Sequence, residues 1–283
     1  MQVIEKVALM QQACKCAARP VVFVPTMGAL HEGHSSLIRH ARTLAGKSGT
    51  VVVSIFLNPK QFNLAHDLEL YPRPFAADQA LCEKIGADLL FHPSVEEIYL
   101  PGASLTVHED QLSRGLCGTS RPGHFEGVVT VLTKLFNIVA PNQVILGEKD
   151  WQQLSIVRRL VRDLNFPIEV ISHPTMRETD GLAMSSRNAR LSAQERAVAP
   201  QIYEALMQTR AHLLAGESDV ATLLASTRRA LEAIPNASID YVELVEDNTL
   251  QPLEKVVTVT TPARLLVAVK IGETRLIDNV GLF

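Results

Sequence analysis

The sequence predicts an α/β chain: a doubly wound parallel sheet over residues 1–178, followed by a smaller α+β domain over residues 179–283. Three observations carry that reading. Five short runs rich in Val, Ile, Leu and Phe recur early, at residues 21–24, 51–56, 88–91, 143–146 and 168–171. Helical patterns at residues 35–45, 74–85, 127–139 and 151–164 separate most of them. Apolar strands alternating with helices imply βαβ units and a sheet covered on both faces. After about residue 178 the pattern changes to helices followed by consecutive strands, which suggests antiparallel pairing.

Each element has its own local signal. The opening stretch, MQVIEKVALMQQACKCAARP, reads as an amphipathic helix. It carries an acid early and has no apolar core ending in a small-residue cleavage site, so a signal peptide is not expected. Residues 96–126 break the alternating rhythm with a long Gly-, Pro- and Ser-rich connection, of the kind that is usually functional or mobile. In the second part, Ser192 with Glu195 three residues later is a capping box that opens a helix. Helical patterns run to about residue 215 and again over 219–233. Strand-like runs follow at 239–245, 256–259, 265–271 and 275–280.

Composition bounds the function. With 47% hydrophobic and 20% charged residues, the chain has an ordinary enzyme-like balance. A formal net charge of −3 supplies no basic field for a nucleic-acid partner. No apolar run approaches the roughly 18 to 20 residues that span a bilayer, so no membrane partner is expected and a cytoplasmic setting is. The four cysteines, Cys14, Cys16, Cys82 and Cys117, read as free thiols.

The chemistry gathers after the strands, where an open parallel sheet binds its ligands. After the first comes PTMGALHEGH, from Pro25 to His34. Its two histidines stand at a helix start, whose unpaired N–H groups and positive dipole end suit an anion. Gly28 and Gly33 let backbone approach a ligand closely. After the second strand comes the stretch with Asn58, Lys60 and Gln61; after the fourth, Gly147, Glu148, Lys149, Asp150 and Gln153; after the fifth, the route to Met184, Ser185, Ser186 and Arg187. Taken singly, these have ordinary explanations: a surface histidine pair, a solvated lysine, an interdomain turn, and in His124 a loop histidine satisfied by backbone. Zinc is disfavoured, because His31 and His34 are three apart rather than four. Four polar motifs converging on one sheet end point instead to attack on a nucleotide phosphate.

HEGH early with a Ser/Arg loop late resembles the HIGH-type nucleotidylyl transferase superfamily. PTMGALHEGH, SIFLNPKQF, LYPR, RPGHFEGV, LGEKDWQQL and DGLAMSSRN, in this order, resemble more closely the pantoate–β-alanine ligase (pantothenate synthetase) family. The likeness covers most of the chain and is densest from residue 21 to 191; Lys60 and Trp151 are its small departures. The resemblance implies a Rossmann-like fold and a two-step ligation through pantoyl adenylate. His34 would be the central catalytic histidine, a donor to phosphate, with His31, Lys149 and Arg187 assisting. Met27, Gly28, Ala29, Leu30, His31, Glu32, Gly33 and His34 would line the ATP site, with Gly147, Glu148, Lys149, Asp150, Met176, Met184, Ser185, Ser186 and Arg187. Gln61, Gln153, Pro25, Met27 and Arg121 would hold pantoate; Gln61, Asn58 and Tyr71 would hold β-alanine. ATP would enter as substrate with Mg²⁺, with no tightly bound organic cofactor, and the metal ligands are not legible. The resemblance also implies a homodimer. Met184 to Arg187 lie where the first pattern gives way to the second and could reach ATP phosphates only by coming over the nucleotide, so the C-terminal domain is expected to close over ATP. Another small-molecule nucleotidylyl transferase of the superfamily, or a non-catalytic nucleotide sensor, are the alternative readings.

Overall fold

The computed structural model describes residues 1–63, 65–254 and 262–283. The first part runs β1 (Gln2–Ile4), α1 (Val7–Cys16), β2 (Val21–Thr26), α2 (Glu32–Ala45), β3 (Thr50–Ile55) and α3 (Ala65–Glu69). It continues with α4 (Phe75–Ile85), β4 (Leu89–Phe91), the short α5 (Val95–Ile98) and α6 (Cys117–Ser120), then α7 (His124–Val139), β5 (Gln143–Gly147), α8 (Trp151–Asp163) and β6 (Glu169–His173). The six strands form one sheet in the order β1-β4-β3-β2-β5-β6, with every pairing parallel. The chain winds outward from β2 through β3 to β4, then returns to place β5 and β6 on the other side of β2. The crevice between β2 and β5, beyond their carboxyl ends, is therefore the topological switch point at which such sheets bind ligands.

Both faces of the sheet are covered, which is why β2 and β3 read as continuous apolar runs. Val21 and Phe23 face a core with Met10, Phe136, Leu154 and Ile156 from α1, α7 and α8. Val22 and Val24 point the other way, against Ile38, Ala41 and Cys82 from α2 and α4. Helix α7 is buried at 12 of its 16 positions, so it lies inside the fold rather than on its surface.

The second part comprises α9 (Ala193–Val198), α10 (Gln201–Leu214), α11 (Val220–Glu232), β7 (Ala237–Glu246), β8 (Ala263–Ile271) and β9 (Thr274–Gly281). The three strands pair antiparallel in sequence order. They share a separate core, in which Leu206, Leu223 and Leu231 pack on Leu265, Val267 and Val269. Helix α9 opens on the expected capping box: Ser192 Oγ accepts from the Glu195 N–H at 3.3 Å, and Glu195 accepts from the Ser192 N–H at 2.8 Å.

One expectation needs adjustment. The N-terminal stretch is not a helix throughout, because Gln2–Ile4 is a sixth parallel strand beside β4 before α1 begins. Three residues are too few to show a period, and only the pairing of Gln2 with Leu89 and Ile4 with Phe91 makes them a strand. The long connection from 96 to 126 is pinned: buried Gln152 accepts from the Cys117 N–H at 3.0 Å and donates to the carbonyls of Leu112 (2.8 Å) and Gly115 (2.9 Å). The strand expected at 256–259 lies outside the described residues.

Candidate active site

The turn after β2 is built before any ligand arrives. Thr26 Oγ1 donates to the Ser54 carbonyl at 2.7 Å and accepts from the Gly28 N–H at 3.2 Å. The two carboxylate oxygens of Asp78, on α4, each take a backbone N–H at 2.8 Å, from Ala29 and Leu30. That clamp holds Ala29 at φ 52°, a left-handed conformation uncommon outside glycine. Burial raises the Asp78 carboxyl above its ordinary range, and the two backbone donors offset only part of that rise.

The start of α2 fixes the state of both histidines. The Gly33 N–H donates to His31 Nδ1 at 3.2 Å, and the His31 N–H donates to His34 Nδ1 at 3.3 Å. A backbone N–H can only donate, so both Nδ1 atoms are acceptors and each neutral ring carries its proton on Nε2. Burial, then Lys149, lowers His31 to about 4; burial, then His31, lowers His34 to about 3. The rings stand 4.1 Å apart. A Cβ on Gly33 would come within 2.9 Å of the His31 ring, so glycine is what allows the cap. The result is a pair of neutral Nε2–H donors at a helix N-terminus.

After β3, a 3₁₀ turn (Pro59–Gln61) presents Gln61. Asn58 is fixed by backbone on both sides: Oδ1 accepts from the Lys60 N–H at 3.2 Å, and Nδ2 donates to the Gly127 carbonyl at 3.0 Å. Asn58 Nδ2 also donates to Gln61 Oε1 at 3.0 Å, and Tyr99 O–H donates to Asn58 Oδ1 at 2.8 Å. Gln61 therefore turns its amide Nε2–H₂ towards Met27 Sδ, 2.8 Å away, at the cavity wall. Helix α7 approaches this turn so closely that a Cβ on Gly127 would lie 2.3 Å from the Lys60 carbonyl.

After β5, Lys149 lies 3.9 Å from Asp150, and the turn is held from the antiparallel sheet: Asn279 of β9 donates to the carbonyls of Glu148 and Lys149, both at 3.0 Å. In the stretch between β6 and α9, Ser186 Oγ meets Tyr71 O–H at 3.4 Å. Asp67 of α3 takes Arg187 at 3.2 Å and Arg190 at 2.7 Å.

These parts enclose one cavity of about 230 Å³. It brings together Pro25, Met27, His31, Gly33, His34, Asn58, Gln61, Tyr71, Gly147, Lys149, Asp150, Gln153, Met176, Met184, Ser185, Ser186 and Arg187. Gly28, Ala29, Leu30, Glu32, Glu148 and Arg121 do not line it. The first three shape the turn, Glu32 pairs with Arg39, and Glu148 offers its carbonyl to Asn279. Arg121 sits behind Gln61, its guanidinium 3.3 Å from the Gln61 carbonyl and 3.0 Å from His124 Nε2. The His124 ring meets the same carbonyl through Nδ1 at 2.8 Å, the backbone-satisfied state expected of it. Lys60 points away, its ammonium 4.5 Å from the centre of the Tyr99 ring.

Sequence reasoning missed several parts. Val128, Val131, Leu132 and Leu135 of α7 form an apolar wall, and Thr26, Phe56, His173 and Thr175 also line the cavity. Asp78 and Asn279 act on the turns rather than on the cavity. Only the strand-end positions of Phe56, Thr26 and His173 could have flagged any of these in advance.

The family model described as pantoate-beta-alanine ligase matches residues 2–281. The chain belongs to the pantoate–β-alanine ligase family. It is 47% identical to the pantothenate synthetase of Trichlorobacter lovleyi over 285 residues, covering 100% of this chain and 99% of that protein. It is 47% identical to the pantothenate synthetase of Thermotoga petrophila, covering 99% and 98%. The crystal structure of pantothenate synthetase from Thermus thermophilus superposes with a TM-score of 0.93 at 45% identity, covering both chains fully. That of the pantoate–β-alanine ligase of Francisella tularensis, complexed with β-γ ATP and β-alanine, gives 0.80 at 33% identity, covering 100% of this chain and 98% of that one. The activity is accordingly that of a pantoate–β-alanine ligase, which forms pantothenate from pantoate, β-alanine and ATP.

Proposed function

We propose that the cavity carries out the ligation in two steps. The pantoate carboxylate attacks the α-phosphorus of ATP, giving pantoyl adenylate and pyrophosphate. The amine of β-alanine then attacks the acyl carbon and AMP leaves. A carboxylate oxygen is a very poor leaving group, and adenylation replaces it with AMP.

The observation that carries this reading is the backbone-set tautomer of His31 and His34. Charge develops on the phosphate oxygens as the carboxylate attacks, and two preset Nε2–H donors at a helix start need no rearrangement to meet it. Lys149 adds a cation on the same side, and Arg187 a second from the segment between the domains. Gly33, Gly147, Asp150, Met176, Met184, Ser185 and Ser186 would complete the ATP site. Pro25, Met27, Gln61 and Gln153 would hold pantoate, where neutral amides bind its hydroxyl and carboxylate without the desolvation cost of an ion. Gln61 and Tyr71 would face β-alanine. Asn58 and Arg121 would act through Gln61 rather than touch a substrate.

Mg²⁺ would enter as the counter-ion of ATP. Asp150 is the one carboxylate lining the cavity among the described residues, which fits a metal held mainly by phosphates and water with one protein acid. Residues 1–178 would bind the nucleotide and pantoate, and residues 179–283 would close over ATP. The homodimer rests on the family resemblance and the cytoplasmic setting on the sequence pattern, and sedimentation of the purified chain tests the first.

ATP–pyrophosphate exchange with and without pantoate tests the reaction. Exchange that requires pantoate supports the adenylate. Exchange without pantoate favours another transferase of the superfamily, and nucleotide binding with no turnover favours a sensor.

A further inference from the structure

His173 lines the cavity but belongs to none of the motifs that carry the ligation. It is the last residue of β6, in register with Gly147 at the end of β5. β6 is an edge strand, so its end has a strand neighbour on one side only. A side-chain tie comes from His40 of α2, whose Nδ1 lies 3.1 Å from His173 Nδ1, with the rings 5.1 Å apart and tilted by 47°. The same helix that presents His31 and His34 at its start thus also fixes the end of β6.

The layout of the cavity says what lies beside that ring. His31, His34 and Lys149 stand at the ends of β2 and β5, and Gln61 stands on the β3 side. With the phosphates at the histidines and pantoate at Gln61, the rest of the nucleotide would run along the stretch of the lining that holds Gly147, His173 and Met176. We infer that His173, pinned by His40, is a further contact for the nucleoside half of ATP, and this rests on the reading that ATP binds in this cavity. Nδ1 is spent on His40, which leaves Nε2 as the free polar atom of the ring; it makes no hydrogen bond among the described residues. Burial, then His40, lowers the His173 pKa, and Arg39 acts in the same direction against Glu148. The contact is therefore that of a neutral imidazole, one hydrogen bond to a ribose hydroxyl or to the base.

The test is steady-state kinetics of the full-length enzyme with ATP, 2′-deoxy-ATP and ITP. His173→Phe keeps an aromatic ring and removes Nε2. It should raise KM for ATP roughly 3- to 10-fold, the worth of one neutral hydrogen bond, with kcat and KM for pantoate within about twofold of wild type. His173→Gln can return a polar group near the place of Nε2 and should recover most of the loss. His40→Phe should move KM for ATP in the same direction by less. His173→Ser, read in the same assay, covers the case in which the Phe variant does not fold. If the preference for ATP over 2′-deoxy-ATP shrinks in the variants, the partner is a ribose hydroxyl; if the preference over ITP shrinks, it is the base. An unchanged KM for ATP, or parallel rises for ATP and pantoate, overturns the inference. Pantoate-dependent pyrophosphate exchange is measured on the same proteins. Its persistence in a variant with unchanged KM for ATP would sink this contact alone; its absence in the wild type would sink the adenylate reading as well.

Discussion

Asn58 sets the orientation of Gln61: its Nδ2 donates to Gln61 Oε1 at 3.0 Å while two backbone groups forbid Asn58 itself to flip. The amide N–H₂ of Gln61 is thereby committed to the cavity before substrate arrives. Replacing Asn58 by Ala frees the Gln61 amide to rotate. KM for pantoate should rise about tenfold, the worth of one oriented hydrogen bond, with KM for ATP little changed. Initial-rate kinetics at saturating ATP measure it, and equal changes for both substrates would contradict the assigned relay.

Asp78 should matter without touching substrate. Its two oxygens satisfy the N–H groups of Ala29 and Leu30, and without them the left-handed Ala29 loses its restraint. Asp78→Ala should cost roughly 2 to 4 kcal/mol of stability, since buried donors lose charged partners. Denaturant unfolding measures this. The surviving folded enzyme should also show weaker ATP binding, because the turn before α2 is no longer held.

Acid should weaken the fold through its buried histidines. His31, His34 and His124 fall to about 4, 3 and 3 from an ordinary value of 6.5, each chiefly by burial. A lowered folded-state pKa means that the unfolded chain binds more protons below pH 6.5. Their contribution to stability is therefore complete above that pH and is lost progressively as pH falls towards 3. Urea midpoints from pH 7 to 4.5 should decline, and less steeply in His124→Phe. A flat profile would mean that these rings are not neutral in the folded state.

How much of this was legible follows from where each residue stands in the sequence. His31, His34, Gln61, Gln153 and the stretch from Met184 to Arg187 sit in polar segments that interrupt apolar runs, so their place beyond the sheet could be read directly. Asp78 lies inside a helical pattern, where one acid looks like surface; only the fold turns it under the Ala29 loop. Val128, Val131, Leu132 and Leu135 carry the signature of a core helix, and nothing local distinguishes a wall facing a cavity from one facing a sheet. Arg121 is the converse case. Its motif placed it near the site, but its guanidinium is taken by His124 and the Gln61 carbonyl. β1 was invisible because a three-residue strand exists only through its partner β4.

Arg187 is held by Asp67 at 3.2 Å, so ATP phosphates reaching it would compete with a carboxylate for one guanidinium. A non-hydrolysable ATP analogue should slow hydrogen exchange across residues 180–190 as the phosphates take over Arg187 and the segment settles on them. Arg187→Ala should slow adenylation. Unchanged exchange at saturating analogue would end the idea of a closing segment and leave the reaction untouched.

The proposed chemistry turns on the pantoate carboxylate itself attacking the α-phosphorus. Pantoate labelled with ¹⁸O in its carboxylate reports on that bond, with mass spectrometry of the products of one full turnover. One ¹⁸O should appear in the phosphate of AMP, one should stay in the pantothenate amide carbonyl, and none should reach pyrophosphate. Unlabelled AMP, or label in pyrophosphate, would contradict attack by the carboxylate at that phosphorus.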